Sequence, residues 1–169
     1  MSVAFRTAGP SDAAALAELG ARSFTETFGH LYTRENLDIF LATHSQERWQ
    51  RELSDSAFAV RLGESDRQAV AYAKLGPPTL PFEPRGPSME LRQFYLSKPW
   101  QGRGVSQELM RWVIEEANSQ GAEELYLSVF VDNHRARRFY ARYGFKQVGR
   151  YDFMVGTHAD HDLILRREL

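Results

Sequence analysis

The stretch Tyr95–Ser106, Tyr-Leu-Ser-Lys-Pro-Trp-Gln-Gly-Arg-Gly-Val-Ser, constrains this chain more than any other. The run Met89–Leu96 before and into it reads as a strand, which Pro99 and two glycines break. Val105, Leu109, Trp112, Val113 and Ala117 then recur at helical spacing up to about Gln120. A strand that turns through a glycine loop into a helix aims several free backbone N–H groups, and the positive end of the helix dipole, at one point. A phosphate suits that point. The loop is not a P-loop, because no Gly-Lys-Ser/Thr follows its glycines. Nor is it a dinucleotide fingerprint, because no acid ends a strand about 20 residues downstream. Alone it is a generic phosphate cradle.

The flanking chain supplies strands and helices for one domain over residues 1–169. Val3–Thr7 reads as a strand, Ser11 as a helix cap, and Ala13–Ala21 as a helix whose periodicity Ser23–Leu31 continues until Gly29 weakens it. Thr33 and Ser45 open two further helices, with Leu37, Phe40 and Leu41, and then Trp49 and Leu53, as their apolar positions. Ala57–Leu62 and Gln68–Leu75 read as a hairpin turning at Gly63-Glu64-Ser65-Asp66. Gly76–Pro87 holds five of the seven prolines. It reads either as a surface loop or as a lid over a site. Leu125–Val131 is a strand, Asn133 caps a helix carrying Ala136, Phe139, Tyr140 and Tyr143 on one face, and Gly144 stops it. Phe145–Val155 and Asp162–Arg166 read as two paired final strands. The expected class is α/β with a mixed sheet: an antiparallel early hairpin, a right-handed parallel crossover from Met89 to Val131, and helices on both faces.

Composition narrows the function classes. A net charge of −1 provides no overall field toward nucleic acid or an anionic membrane, and the basic residues within Arg135–Arg142 are local. With no cysteine, disulfides, thiolate metal sites and a cysteine nucleophile are excluded. No apolar run approaches the roughly 20 residues of a membrane helix, and Met1–Arg6 lacks the pattern of a signal peptide. The default expectation is a cytoplasmic protein that binds no nucleic acid, membrane or metal.

A second motif gives the loop a specific meaning. Asn133-His134-Arg135-Ala136-Arg137-Arg138-Phe139-Tyr140-Ala141-Arg142-Tyr143-Gly144-Phe145 follows the glycine loop after one strand. In these two segments, over about Met89–Phe145, the chain resembles the GNAT superfamily of acyl-CoA-dependent N-acetyltransferases. Gln101-Gly102-Arg103-Gly104-Val105-Ser106 looks like that family's Q/R-x-x-G-x-G/A loop, and Asn133, Ala136, Tyr140, Gly144 and Phe145 look like its N-x-x-A-x-x-x-Y-x-x-x-G-F helix. Ser106 departs from the family's Gly or Ala but is small enough for a close diphosphate. The resemblance implies a mostly antiparallel twisted sheet of about seven strands around the parallel crossover. It also implies acetyl-CoA as co-substrate. Gln101–Ser106 would hold the diphosphate, and Phe94, Tyr95 and Leu96 on the central strand would hold the pantetheine arm as an added strand. Asn133 would bind that arm from the other side while capping its helix. Arg103, Arg135 and Arg138 are candidates for the nucleotide end, each with an ordinary surface role as its alternative.

Acetyl transfer to an amine needs a base for the amine, stabilisation of the oxyanion and a proton for the leaving thiolate. The resemblance makes Tyr140 the acid, and Tyr143 core. Glu90 is the first choice of base, on a strand face expected to hold Glu90, Arg92 and Phe94 with Leu91, Gln93 and Tyr95 opposite. His30 is an alternative base. In another branch the base lies five residues before the asparagine; here that residue is Ser128, which argues against acetylation of protein N-termini. Phe24, Glu26, Phe28 and Tyr32 are the candidate acceptor contacts, with core packing as the alternative for the aromatics. This segment, and Asp160-His161-Asp162-Leu163-Ile164, look like the bacterial polyamine (spermidine/spermine-type) branch. The expected acceptor is therefore a small primary amine. A protein lysine or N-terminus is one alternative and a non-catalytic acyl-CoA-sensing module another. Relatives often dimerise through the late strands, which makes a homodimer an option.

Overall fold

The structure, a computed structural model, describes residues 2–169. Its seven strands form one sheet in the order β1-β2-β3-β4-β5-β7-β6. These are β1 (Ala4–Thr7), β2 (Ala59–Ser65), β3 (Gln68–Gly76), β4 (Ser88–Leu96), β5 (Glu124–Phe130), β6 (Lys146–Val155) and β7 (His158–Glu168). Every pairing is antiparallel except β4 with β5. Helices α1 (Ala13–Phe28), α2 (Arg34–Ala42) and α3 (Gln46–Leu53) precede β2; α4 (Val105–Ser119) joins β4 to β5, and α5 (His134–Arg142) joins β5 to β6. The mixed, mostly antiparallel sheet with one parallel crossover is the expected architecture. No helix is long and apolar enough to cross a membrane, among the described residues.

Two cores hold the layers together. Leu109, Met110 and Val113 of α4 pack without exposure against Leu75, Leu91, Leu125, Leu127 and Leu163, with Tyr140 and Phe145 at the margin. On the other face Leu16 and Leu19 of α1 and Trp49 of α3 pack on Val60, Leu62 and Tyr72. Each such side chain contributes roughly 1.5–3 kcal/mol through burial. Beside this second core Lys74 and Glu52 form a buried ion pair, with Arg48 Nε 3.0 Å from Glu52 and Lys74 Nζ 4.2 Å from the centre of the Trp49 ring.

Local chemistry moved several boundaries. Thr33 and Ser45 do cap α2 and α3, accepting from the backbone N–H groups of Asn36 and Arg48. Ser11, however, lies within a short 3₁₀ turn, Pro10–Asp12, and Asp12 stands at the cap position of α1. The Asp12 carboxylate accepts from Gly9 N–H at 2.8 Å and pairs with Arg6. α1 continues unbroken to Phe28, and a 3₁₀ turn over Gly29–Leu31 follows. The β2–β3 turn is Asp66-Arg67, both with positive φ (49° and 64°), as a two-residue type I′ hairpin needs. Gly63 is not part of that turn. It pairs with Phe5, whose ring leaves no room for a Cβ there. β7 begins at His158, four residues before the expected start, and pairs along the whole of β5.

The irregularity that matters most is in β4. Lys74 pairs with Gln93 and Leu75 with Leu91, so Arg92 is bulged out of register. The bulge switches faces. Met89 and Leu91 before it, and Phe94 and Leu96 after it, all meet the α4 core. Glu90, Gln93 and Tyr95 therefore belong to the α1 side, where Tyr72 Oη donates to Gln93 Oε1 at 2.9 Å. The expectation that Glu90, Arg92 and Phe94 share a face is corrected: simple alternation does not survive an inserted residue.

Candidate active site

The β4–β5 pairing is short. Ser88–Glu90 pair with Glu124–Tyr126, and past that point the two strands diverge while continuing to Leu96 and Phe130. β3 still covers the outer edge of β4, and β7 that of β5. The facing edge of β4 is left with backbone N–H and C=O groups that no neighbouring strand pairs. A cavity of about 650 Å³ opens along this divergence.

One end of the cavity is the glycine loop. Gln101, Gly102 and Ser106 line it, with Arg135 and Arg138 from α5. Gly102 and Gly104 have φ of +76° and +83°, and a Cβ at either would meet nothing within 4 Å. This is the geometry of an open, concave run of backbone N–H groups leading into α4, of which Gly104 is the N-cap residue. Gln101 is fixed on both sides: it donates to Leu96 O at 3.3 Å and accepts from Arg135 Nη1 at 2.7 Å. Asn133 lines the cavity while its Oδ1 accepts from Ala136 N–H at 3.3 Å. Arg103, beside Trp100, and Gly104 are exposed and outside the lining, and Val105 lies within the core.

Midway, Phe94, Tyr95, Leu96 and Tyr140 line the cavity. Tyr140 sits among Phe94, Phe139 and Phe145 and is buried to 8% exposure. Burial, and then the neighbouring Tyr95, push its hydroxyl pKa up, so it carries its proton at neutral pH. Tyr95 is pushed up to about 12, by burial first and by the charge of Asp162 second.

The far end is acidic and aromatic. Phe24 lies 5.3 Å from Phe28 and stacks on Tyr32 at 5.8 Å, and Phe28 meets Phe130 edge-on at 6.2 Å. The Tyr32 hydroxyl donates to Asp160, whose other oxygen lies 3.2 Å from His158 Nε2. Asp162 stands opposite Phe130 on β5 and opposite Tyr151 on β6. Burial, with the charge of Asp160 second, raises its pKa to about 7, and a hydrogen bond from Ser128 opposes the rise.

Phe24, Phe28, Tyr32, Phe94, Tyr95, Leu96, Gln101, Gly102, Ser106, Asn133, Arg138 and Tyr140 are thus brought to one cavity. Glu26 and His30 are exposed and outside it. Glu90 is outside it too. Its carboxylate accepts from Thr79 N–H at 2.8 Å, Thr79 Oγ1 at 3.1 Å and Leu80 N–H at 3.1 Å, and Arg92 Nε lies 3.2 Å away. Arg92 also donates to Pro77 O. Glu90 and Arg92 together fasten the proline-rich loop, and Glu124 holds its other end through Arg85 N–H. No residue of 76–87 lines the cavity, so the lid expected as one reading of that loop is not what the structure has. Sequence reasoning placed Asp160 and Asp162 only as a branch resemblance. The available signal was two acids at alternate positions of a strand whose next same-face residue, Ile164, is buried.

A sequence-family model described as "Acetyltransferase (GNAT) family" matches residues 14–145, a span that contains the diverging strands, the glycine loop and α5. The chain belongs to the acetyltransferase (GNAT) family. An uncharacterized N-acetyltransferase of Mycobacterium tuberculosis is 32% identical over 160 residues, covering 94% of this chain and 99% of that one. A spermine/spermidine N(1)-acetyltransferase of Bacillus subtilis is 33% identical over 64 residues, 37% of this chain and 42% of its own length. The solved PaiA N-acetyltransferase of Thermoplasma acidophilum, in complex with coenzyme A, superposes with a TM-score of 0.80 over 100% of both chains at 20% identity. Family membership makes this GNAT chain an N-acetyltransferase, with the cavity between β4 and β5 as its candidate site.

Proposed function

We propose that the protein transfers the acetyl group of acetyl-CoA to the primary amine of a small cationic molecule, with a polyamine as the favoured class. One observation carries this reading: a single cavity joins an open glycine cradle to an acidic, aromatic end, with Tyr140 between them.

The residues fit both substrates. The free N–H groups from Gly102 to Ser106, the N-terminus of α4, and Arg135 and Arg138 suit the diphosphate and nucleotide end of CoA. The open space over Gly102 and Gly104 lets a phosphate approach the backbone closely. The unpaired edge of β4 suits the amides of a pantetheine arm, with Phe94, Tyr95 and Leu96 beside it. Acetyl-CoA supplies a thioester, whose carbonyl carbon is open to attack by a neutral amine. Tyr140, kept protonated by its burial, is suited to donate to the leaving sulfur. Phe24, Phe28 and Tyr32 offer ring faces, and Asp160 and Asp162 offer anions, to an ammonium on an apolar chain. The case for a small acceptor rests on this end of the cavity and not on the proline-rich loop. The partial similarity to a spermine/spermidine acetyltransferase points the same way.

The test is acetyl-CoA turnover, read as free thiol, across diamines, polyamines, neutral amines and lysine peptides. Cationic di- and polyamines are expected to lead. Turnover confined to peptides would refute the small-amine reading. Tyr140→Phe is expected to lower kcat by about 100-fold or more while CoA affinity holds; equal losses in both would make Tyr140 a packing residue.

A further inference from the structure

We infer that Asp162 is the group that takes the proton from the acceptor's ammonium, with Asp160 held beside it as a fixed counter-anion. This rests on the reading of the protein as a small-amine acetyltransferase and adds the base that Glu90 does not provide.

Three observations converge on it. Asp162 is 7% exposed, lines the cavity, and among the described residues has no lysine, arginine or histidine within ion-pair distance. A buried carboxylate without a cationic partner is costly, and a substrate ammonium would complete it. Next, Asp160 differs in kind: Tyr32 and His158 already hold it. Asp160 is thereby fixed in place by two partners, whereas Asp162, without a cationic partner, is left to meet the acceptor. Finally, Ser23 Oγ, on a residue 8% exposed that lines the same cavity, is buried without a hydrogen-bond partner among the described residues. A second polar group of the acceptor would satisfy it.

The remaining titratable groups around Asp162 are consistent with a base. Tyr151 faces it from β6 and Tyr95 from β4. Tyr32 reaches its neighbour Asp160 from just beyond the 3₁₀ turn that follows α1, His158 stands beyond Asp160, and Glu90 lies further along the same face of the sheet. The tyrosines are neutral at pH 7, and the anions oppose ionisation of Asp162. A value raised to about 7 leaves it basic enough to accept from an ammonium and about half ionised at neutral pH.

The step balances as follows. Asp162 removes one proton from R–NH3+, giving R–NH2. The nitrogen forms a bond to the thioester carbonyl carbon and the C–S bond breaks. Sulfur leaves with the bonding pair and takes the phenolic proton of Tyr140. The second proton lost by nitrogen replaces it, and Asp162 releases the first to solvent. The products are the acetamide, free thiol and one proton.

Asp162→Asn tests the assignment. At pH 7.5 turnover of a strongly basic diamine is expected to fall by at least about 100-fold. Trifluoroethylamine, already uncharged, should lose only a few-fold, and CoA affinity should hold. The rise in wild-type kcat/KM through about pH 7 should vanish. Because the folded state raises the pKa of Asp162, ionising it destabilises the fold as pH rises. Asp162→Asn should therefore melt higher than wild type at pH 8, by a margin that narrows as pH falls and closes only below about 3.8, the ordinary aspartate value. Equal losses for both amines, or a surviving pH limb, would overturn the role. Should Asp162→Asn fail to fold, Ser128→Ala removes the hydrogen bond that favours the ionised form and must move the limb to higher pH; an unmoved limb overturns the inference. Wild-type protein that binds CoA but acetylates no amine would instead overturn the broader reading.

Discussion

Gly102 and Gly121 stand near the two ends of α4 and form a matched pair. Their φ values are +76° and +81°, and a Cβ at either would meet nothing within 4 Å. Alanine therefore costs only backbone strain at both. A left-handed non-glycine residue costs about 1–2 kcal/mol, and the stiffer unfolded chain returns about 0.4–1 kcal/mol. The net loss is roughly 1 kcal/mol, or about 2–4 °C in Tm for a chain of this size. Gly102 lines the cavity and Gly121 does not. At Gly102 the methyl would stand where a phosphate approaches the N–H groups. Losing one hydrogen bond to a charged group costs about 1.5–3 kcal/mol, which is roughly 10- to 150-fold in Kd. Calorimetric titration with CoA, beside thermal melts of both variants, reads the difference. Gly102→Ala should bind CoA at least about 10-fold more weakly than Gly121→Ala at similar Tm. Equal affinities would refute the cradle.

Three further substitutions probe the frame. Glu52→Gln leaves the Lys74 ammonium buried without its carboxylate and should cost about 3–5 kcal/mol, whereas Lys74→Met leaves Glu52 its Arg48 partner and should cost less. Burial already lowers the Lys74 pKa, so the unfolded chain holds that proton to higher pH, and Glu52→Gln should gain stability as pH rises toward 10 in urea titrations. Glu90→Gln should loosen the proline-rich loop, seen as faster hydrogen exchange at Thr79 and Leu80, with kcat changed only a few-fold. A large fall in kcat with that protection intact would restore Glu90 as the base.

What was legible in the sequence was what short-range chemistry fixes. The strand–glycine loop–helix unit, the Asn133 cap and the caps at Thr33 and Ser45 each depend on a few adjacent residues, and each formed. The β4 face was misread because period-two alternation carries no sign of the bulge at Arg92. That register depends on how β3 meets β4 beyond Lys74. Gly63 read as a turn because glycine marks turns, but its cause is the Phe5 ring on a strand far away in sequence. The acidic end was hidden for a similar reason: Tyr32 and Asp160 are 128 residues apart, and no local pattern announces their hydrogen bond.

The position of that acidic end follows from topology. A crossover helix starts where its strand ends, so the glycine loop must lie beyond the C-terminal end of β4. β5 runs parallel to β4, and its own C-terminal end points the same way. β7 is antiparallel to β5, which brings the first half of β7 to that same end, with Asp162 across from Phe130. Cradle and carboxylates are thereby placed at one mouth of the sheet, where β4 and β5 have parted. The net charge of −1 averages over this arrangement: cations and backbone N–H groups gather at one end of the cavity and paired acids at the other. An anionic donor and a cationic acceptor would each be drawn to its own end, and the two would meet beside Tyr140. The register of β7 decides whether this works. A slip of one residue would turn Asp160 and Asp162 to the α4 face, and the buried Leu163 and Leu165, which pack there, oppose that slip.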